Sequence, residues 1–156
     1  MGNYNNLELD FIERTIRLIG QYTSMIQGLD FDDQLNYTLT INCLLGLIVM
    51  PKERVITYVP KEPINAESLQ RMGLEKSTID NSIRNLQELI QNLRHAIAHF
   101  DIEVISVCDN NLVDFIEFKG SGNQPAVIAR FSAPEIYPFL QYYAHGISQN
   151  LRKHRA

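Results

Sequence analysis

A mainly α fold is predicted for this chain: an up-and-down bundle of four to five helices with a small three-stranded antiparallel β meander before the last helix. Three observations predict it. Ile79, Ile83, Leu86, Ile90, Leu93 and Ile97 follow one another at alternating spacings of four and three, which is a narrow helical stripe. Upstream, the run Cys43-Leu44-Leu45-Gly46-Leu47-Ile48-Val49-Met50, stopped by Pro51, is apolar enough for a central, largely buried helix. Downstream of Phe100 the period changes from helical to extended. Ile102–Val107, Leu112–Phe118 and Ala126–Phe131 are β-rich runs, separated by Asp109-Asn110-Asn111 and by Gly120-Ser121-Gly122-Asn123-Gln124-Pro125, both turn sequences.

The remaining elements follow in order. Asn5 with Glu8 starts a first helix, carried by Leu9, Ile12, Ile16, Ile19 and Ile26. A second row, Phe11, Leu18, Tyr22 and Met25, predicts that this helix is covered on more than one side, and Gly28 closes it. Asp30 or Asp32 caps the second helix, through Leu35 and Leu39. Pro60 and Pro63 frame a loop, and Asn65–Met72 is a short helix stopped by Gly73. Ser77 with Asp80 then reads as a helix start, giving a long helix from Thr78 to about His99. Ser132, Pro134 and Glu135 open the last helix, which carries Ile136, Leu140, Tyr143, Ile147 and Leu151. Pro138 removes a donor there, so the first turn is expected to be kinked or separate. Tyr142 and Tyr143 read as packing residues, and Arg152-Lys153-His154-Arg155 as a solvated helix end.

The chain has 156 residues, of which 45% are hydrophobic and 21% charged, the composition of one globular domain, 1–156. A net charge of -4 argues against coating nucleic acid by bulk electrostatics but leaves room for a local basic site. Cys43 and Cys108 share no metal-type spacing and are expected to be reduced and buried. Met1–Leu9 lacks the charged and apolar segments of a signal peptide, and Ile41–Met50 is about half the length a membrane helix needs. A cytoplasmic protein with no membrane partner is the expectation.

Candidate chemistry gathers at Leu93-Arg94-His95-Ala96-Ile97-Ala98-His99-Phe100. At about 100° per residue, His95 and His99 lie opposite the apolar stripe and Arg94 lies nearer to it. Ala96 and Ala98 would let a second helix approach closely. Two imidazoles four residues apart could share a metal ion, but no third ligand stands at a recognised spacing, so no metal and no cofactor are expected. Arg94 and His99 together suit a different reaction. RNA cleavage by the 2'-hydroxyl needs a base, an acid and a cation on the phosphate. Imidazole can move protons near neutral pH, and guanidinium binds phosphate bidentately. One chain supplies about half of these parts, and a twofold homodimer supplies the rest.

Arg94-His95-Ala96-Ile97-Ala98-His99 resembles the Arg-polar-x-x-x-His signature of the HEPN superfamily (higher eukaryote and prokaryote nucleotide-binding domains). Asn42–Arg54 also looks like the second helix of a compact bacterial branch in which a small β meander follows the signature. The resemblance implies a metal-independent endoribonuclease with a composite site at a homodimer interface, RNA or nucleotide as ligand, and a toxin or defence role with a cognate antitoxin as partner. It implies Arg94 on the phosphate, His99 as acid or base, and His95 in the polar second position, where many relatives have asparagine. Where the nucleotidyltransferase-paired toxins carry a tyrosine, two residues past the histidine, this chain has Asp101. The superfamily also has members that only bind or dimerise, so a catalytically inactive RNA- or nucleotide-binding or dimerisation module is the alternative. Each residue has a structural reading as well: Arg94 and His99 as cations at a helix C-terminus, His95 as a surface or interface residue.

Overall fold

A computed structural model describes residues 4–49, 53–107, 109, 112–121 and 126–155, with the side chains of Glu53 and Arg54 excepted. Pro51 as a helix stop, Cys108, and Asn110-Asn111 and Gly122–Pro125 as turn residues lie outside that description.

Helix α1 runs from Leu7 to Met25, and its N-cap is Asn6, whose side chain accepts from Leu9 N–H at 3.3 Å. Asp30 precedes only a single 3-10 turn, Phe31–Asp33, and α2 follows as Asn36–Val49. A short α3, Glu53–Ile56, leads to α4, Ala66–Arg71, which Asn65 and Ser68 close with a reciprocal capping box. After α4 come β1 (Thr78–Ile79), α5 (Leu86–Ala98), β2 (Ile102–Ile105), β3 (Phe115–Lys119), β4 (Val127–Ser132) and α6 (Ala133–Arg155).

Two expectations need correction here. The sheet is not a three-stranded meander: it has four antiparallel strands in the order β1-β4-β3-β2, which makes the fold mixed α/β, although mainly helical. The fourth strand is made of residues assigned from sequence to the start of the long helix. Thr78 pairs with Arg130 and Ile79 with Ala129, and α5 begins seven residues later than Ile79, behind its own N-cap Asn85, which accepts from Glu88 N–H at 2.9 Å.

The reason lies in Glu135, in the first turn of α6. Its carboxylate accepts from the backbone N–H groups of Glu75, Lys76 and Ser77 at 3.1, 2.8 and 2.9 Å, and from the Ser77 hydroxyl at 2.6 Å. The same Ser77 oxygen accepts from Ser132 N–H at 2.9 Å in the interior. Ser77 therefore spends its side chain on α6 and β4 and cannot cap a helix. Asp80 turns to Ser82, accepting from its N–H at 2.9 Å in a local turn.

The core joins both layers. Leu44, Leu47 and Ile48 of α2, Leu86, Leu89, Ile90, Leu93 and Ala96 of α5, and Phe139, Leu140 and Tyr143 of α6 are buried together with Phe118 and Phe131 of the sheet. α2 packs against α1, α5 and α6, and the sheet packs against α5 and α6. Cys43 is a free, buried thiol, raised in pKa by that burial. Tyr143 is fully buried and Tyr142 is half-buried, its hydroxyl donating to Glu62, so both serve packing. The second row of α1 is covered only in part: Phe11 packs against the core and Tyr22 is half-buried, whereas Leu18 and Met25 are exposed. The basic end of α6 is used as well. Arg152 and Arg155 pair with Glu13 and Glu8 of α1 at 2.5 and 2.6 Å.

Pro138 neither breaks nor detaches α6, which is continuous through it. Its ring lies against Gly73, the residue that ends α4 with a φ of 76°. A Cβ on Gly73 would come within 2.6 Å of Pro138 Cβ, so this glycine answers both a left-handed backbone and a close approach. Gly73→Ala is expected to lower stability by about 2 kcal/mol or more, combining the left-handed penalty with that clash, as a denaturant titration would register.

Burial pulls the Glu135 carboxyl upward, but the hydrogen bonds from Ser77, Lys76 and Glu75 outweigh it and hold the group below the usual carboxylate range. A carboxylate with a depressed folded pKa stabilises the fold above its unfolded value of about 4.3. That contribution drains as pH falls through the folded pKa. Glu135→Ala should therefore cost about 2 kcal/mol at pH 7 and flatten the acid limb of a stability-versus-pH curve. An unchanged curve would remove Glu135 from this role.

Candidate active site at the end of α5

The core side of α5 fixes where its polar residues go. Leu86, Leu89, Ile90, Leu93 and Ala96 are buried, which turns His95, Ala98 and His99 outward and leaves Arg94 half-buried at the boundary. Ala96 is thus part of the protein's own core, and of the two alanines only Ala98 remains on the surface for a second helix to meet.

The two imidazoles come together as their spacing predicts. Their ring centroids are 4.4 Å apart, with the planes inclined by 58°. His95 Nε2 lies 2.9 Å from Ser121 Oγ, in the segment that follows β3. Ser121 was not legible as a site residue, because the pairing of β3 with β2 and β4, rather than any motif, brings residue 121 beside residue 95. Next to this contact, Glu88 and Asn92 of α5 face Gly120 and Val127 across a hollow of about 190 Å³. Glu88 Oε2 itself accepts from Arg84, through N–H at 3.0 Å and Nε at 3.3 Å, so it is tied within its own turn.

Arg94, unlike the exposed imidazoles, is half-buried. Among the described residues it makes no hydrogen bond or ion pair, and its positive charge is felt instead by the buried Tyr143 hydroxyl, where it opposes the upward push of burial on that group's pKa. Tyr143 Oη lies 3.5 Å from the Leu47 carbonyl, so Arg94 borders the region where α5, α2 and α6 meet. No group of three His, Cys, Asp or Glu stands together among the described residues in a way that could hold a metal ion.

The helix ends in a Schellman motif. His99 is the C-cap, Phe100 N–H donates to Ile97 O at 3.1 Å, and Asp101 N–H donates to Ala96 O at 2.8 Å. The Ala96 and Ile97 carbonyls are thus satisfied by backbone donors and need no imidazole as a cap.

Residues 1–154 match the family described as HEPN pEK499 p136. The chain belongs to this HEPN family. No curated protein and no solved structure matches it significantly. It is therefore a HEPN-domain protein, from a group that is in general nuclease or nucleotide-binding. No described helix of this HEPN chain is long and apolar enough to cross a membrane.

The His95–Ser121 contact is exposed and local. Ser121→Ala should change the ¹⁵N shift of the His95 ring while moving stability by less than about 0.5 kcal/mol. A shift identical to the parent's would mean that the contact does not orient the imidazole in solution.

Proposed function

We propose that this HEPN protein is a metal-independent endoribonuclease acting as a homodimer, with a toxin or defence role and a cognate antitoxin as partner. The observation that carries the reading is the exposed pair His95 and His99 at the end of α5, on a signature that also holds Arg94, in a chain of this family. Two copies of this helix end, facing across a twofold axis, line one cleft with two His99 and two Arg94.

The chemistry then follows from the groups available. One His99 imidazole takes the proton of the ribose 2'-hydroxyl, and the 2'-oxygen attacks the adjacent phosphorus. As the bond to the 5'-oxygen breaks, the second His99 returns a proton to that oxygen, leaving a 2',3'-cyclic phosphate and a 5'-hydroxyl. The Arg94 guanidinium groups stabilise the extra charge that builds on the phosphoryl oxygens. His95, held by Ser121 and packed at an angle against His99, orients the reacting ring.

A catalytically silent module that binds RNA or nucleotide, or only dimerises, is the second reading. One observation favours it: among the described residues Arg94 makes no hydrogen bond or ion pair, and it is half-buried with its charge felt by Tyr143.

The two readings separate on purified protein. Cleavage of single-stranded RNA should proceed unchanged in EDTA, yield cyclic phosphate ends, and fall about a hundredfold or more in Arg94→Ala and His99→Ala. Overexpression should slow growth, and His99→Ala should relieve it. A folded parent that cleaves no RNA, or alanine variants as fast as the parent, would decide for the silent module.

A further inference from the structure

Phe100 stands where a chain usually places glycine. It occupies the C' position of the Schellman motif with a φ of 59°, in the left-handed region that costs an ordinary side chain about 1–2 kcal/mol. The same chain ends α4 with the same pair of backbone bonds, Gly73 N–H to Gln70 O and Leu74 N–H to Leu69 O, and there it uses a glycine. The fold would therefore be served equally well by glycine at residue 100. What phenylalanine adds is a ring that is 84% exposed and takes no part in the hydrophobic core. Folding gains nothing from that ring in this structure.

Its neighbours indicate what it is for. Phe100 directly follows His99, whose ring packs on His95, and it precedes Asp101, whose carbonyl accepts from Lys119 N–H at 2.9 Å, two residues before Ser121. In the chain this exposed aromatic ring stands between the exposed His99 and the half-buried Asp101, so it is an apolar surface flanked by polar side chains. A stable protein partner needs about 800 Å² from each side, several times what one ring offers. A nucleobase needs one ring face. Single-stranded RNA is recognised largely by such stacking, which suits an enzyme that must hold an unpaired nucleotide beside its acid and base.

We propose that Phe100 is the base-stacking platform of the RNA site, holding a nucleobase of single-stranded RNA next to the phosphate on which His99 acts. This deepens the ribonuclease reading and rests on it for the identity of the ligand. The ring binds any base through its π face, so it sets affinity and register along the strand and leaves sequence preference to other contacts.

The chain contains no tryptophan, so Phe100→Trp places a single tryptophan, which can be excited selectively over the tyrosines, at the proposed contact. Its emission should be quenched by a 2'-O-methyl oligoribonucleotide, which cannot undergo 2'-hydroxyl attack, and much less by a duplex of the same sequence. Phe100→Gly and Phe100→Leu should weaken binding of that oligonucleotide about tenfold and raise KM for the cleavable strand similarly, with kcat little changed. Phe100→Gly should unfold no earlier than the parent, since it loses only the left-handed strain.

Binding of the oligonucleotide that is unaffected by Phe100→Gly and Phe100→Leu overturns the platform, whether or not RNA is cleaved. Emission of the tryptophan variant that depends on protein concentration and not on RNA overturns it in favour of a self-association contact. Quenching together with weakened binding, in a parent that cleaves nothing, sinks the nuclease reading and leaves the platform standing.

Discussion

The architecture depends on one carboxylate. Glu135 gathers three consecutive backbone N–H groups and one hydroxyl from the segment leading into β1, and so ties the first turn of α6 to residues that are about sixty positions away in sequence. Three backbone donors that would otherwise compete for helix bonds are used at once. The segment stays extended, Thr78 and Ile79 add an edge strand beside β4, and Asp80 N–H donates to Ile128 O at 2.8 Å. α5 can then start only at Asn85. Its shorter length matters less than its fixed placement against the sheet, because that placement brings the end of β3 beside His95.

Burial then decides the orientation of α5. With Leu86, Leu89, Ile90, Leu93 and Ala96 buried, any rotation of the helix that moved the imidazoles inward would expose several large side chains, each worth about 2 kcal/mol of apolar burial. The polar face is thus set by the apolar one. The Schellman end adds a second constraint, since the bonds from Phe100 and Asp101 stop the last turn from fraying. His95 and His99 therefore sit on a rigid element, which is what the proposed proton transfers would require.

What was legible in the sequence tracks how local the controlling interaction is. The stripe at Leu86, Ile90, Leu93 and Ile97 and the extended runs after Phe100 are periodicities that each segment carries by itself, and α5, β2, β3 and β4 follow them, whereas Ile83 is buried ahead of the N-cap Asn85 and β3 starts at Phe115 rather than Leu112. The pairing of His95 with His99 follows from helical spacing alone. The error at Ser77–Asp80 has the opposite origin. A serine followed three residues later by an acid is a fair helix start in isolation, but the acid that Ser77 answers is Glu135, and nothing near residue 77 announces it. Ile79 matched the helical stripe by position and was taken into the sheet by the same long-range contact. Ser121 beside His95 and Pro138 against Gly73 were invisible for the same reason. Both exist only once the strands and α6 are in place.

Arg94 is the residue on which local and long-range constraints pull apart. The proposed reaction asks it to hold a phosphate, while its place on α5, between the buried row and the exposed imidazoles, leaves it half-buried with its charge felt by the buried Tyr143 hydroxyl. A long side chain is able to serve both demands, since its charged end can turn toward solvent while its stem stays on apolar surface. Around an ideal helix Arg94 and His99 are about 140° apart, and the C-cap backbone of His99, with ψ near 0°, departs from that ideal. A half-buried arginine and a histidine on the turning last residue of the helix do not define a closed pocket within one chain. On the proposed reading they form one wall of a groove. A wall of this kind acquires catalytic meaning when a phosphate is held against it by something else, whether an exposed ring that takes the neighbouring base or the same wall presented by a second copy.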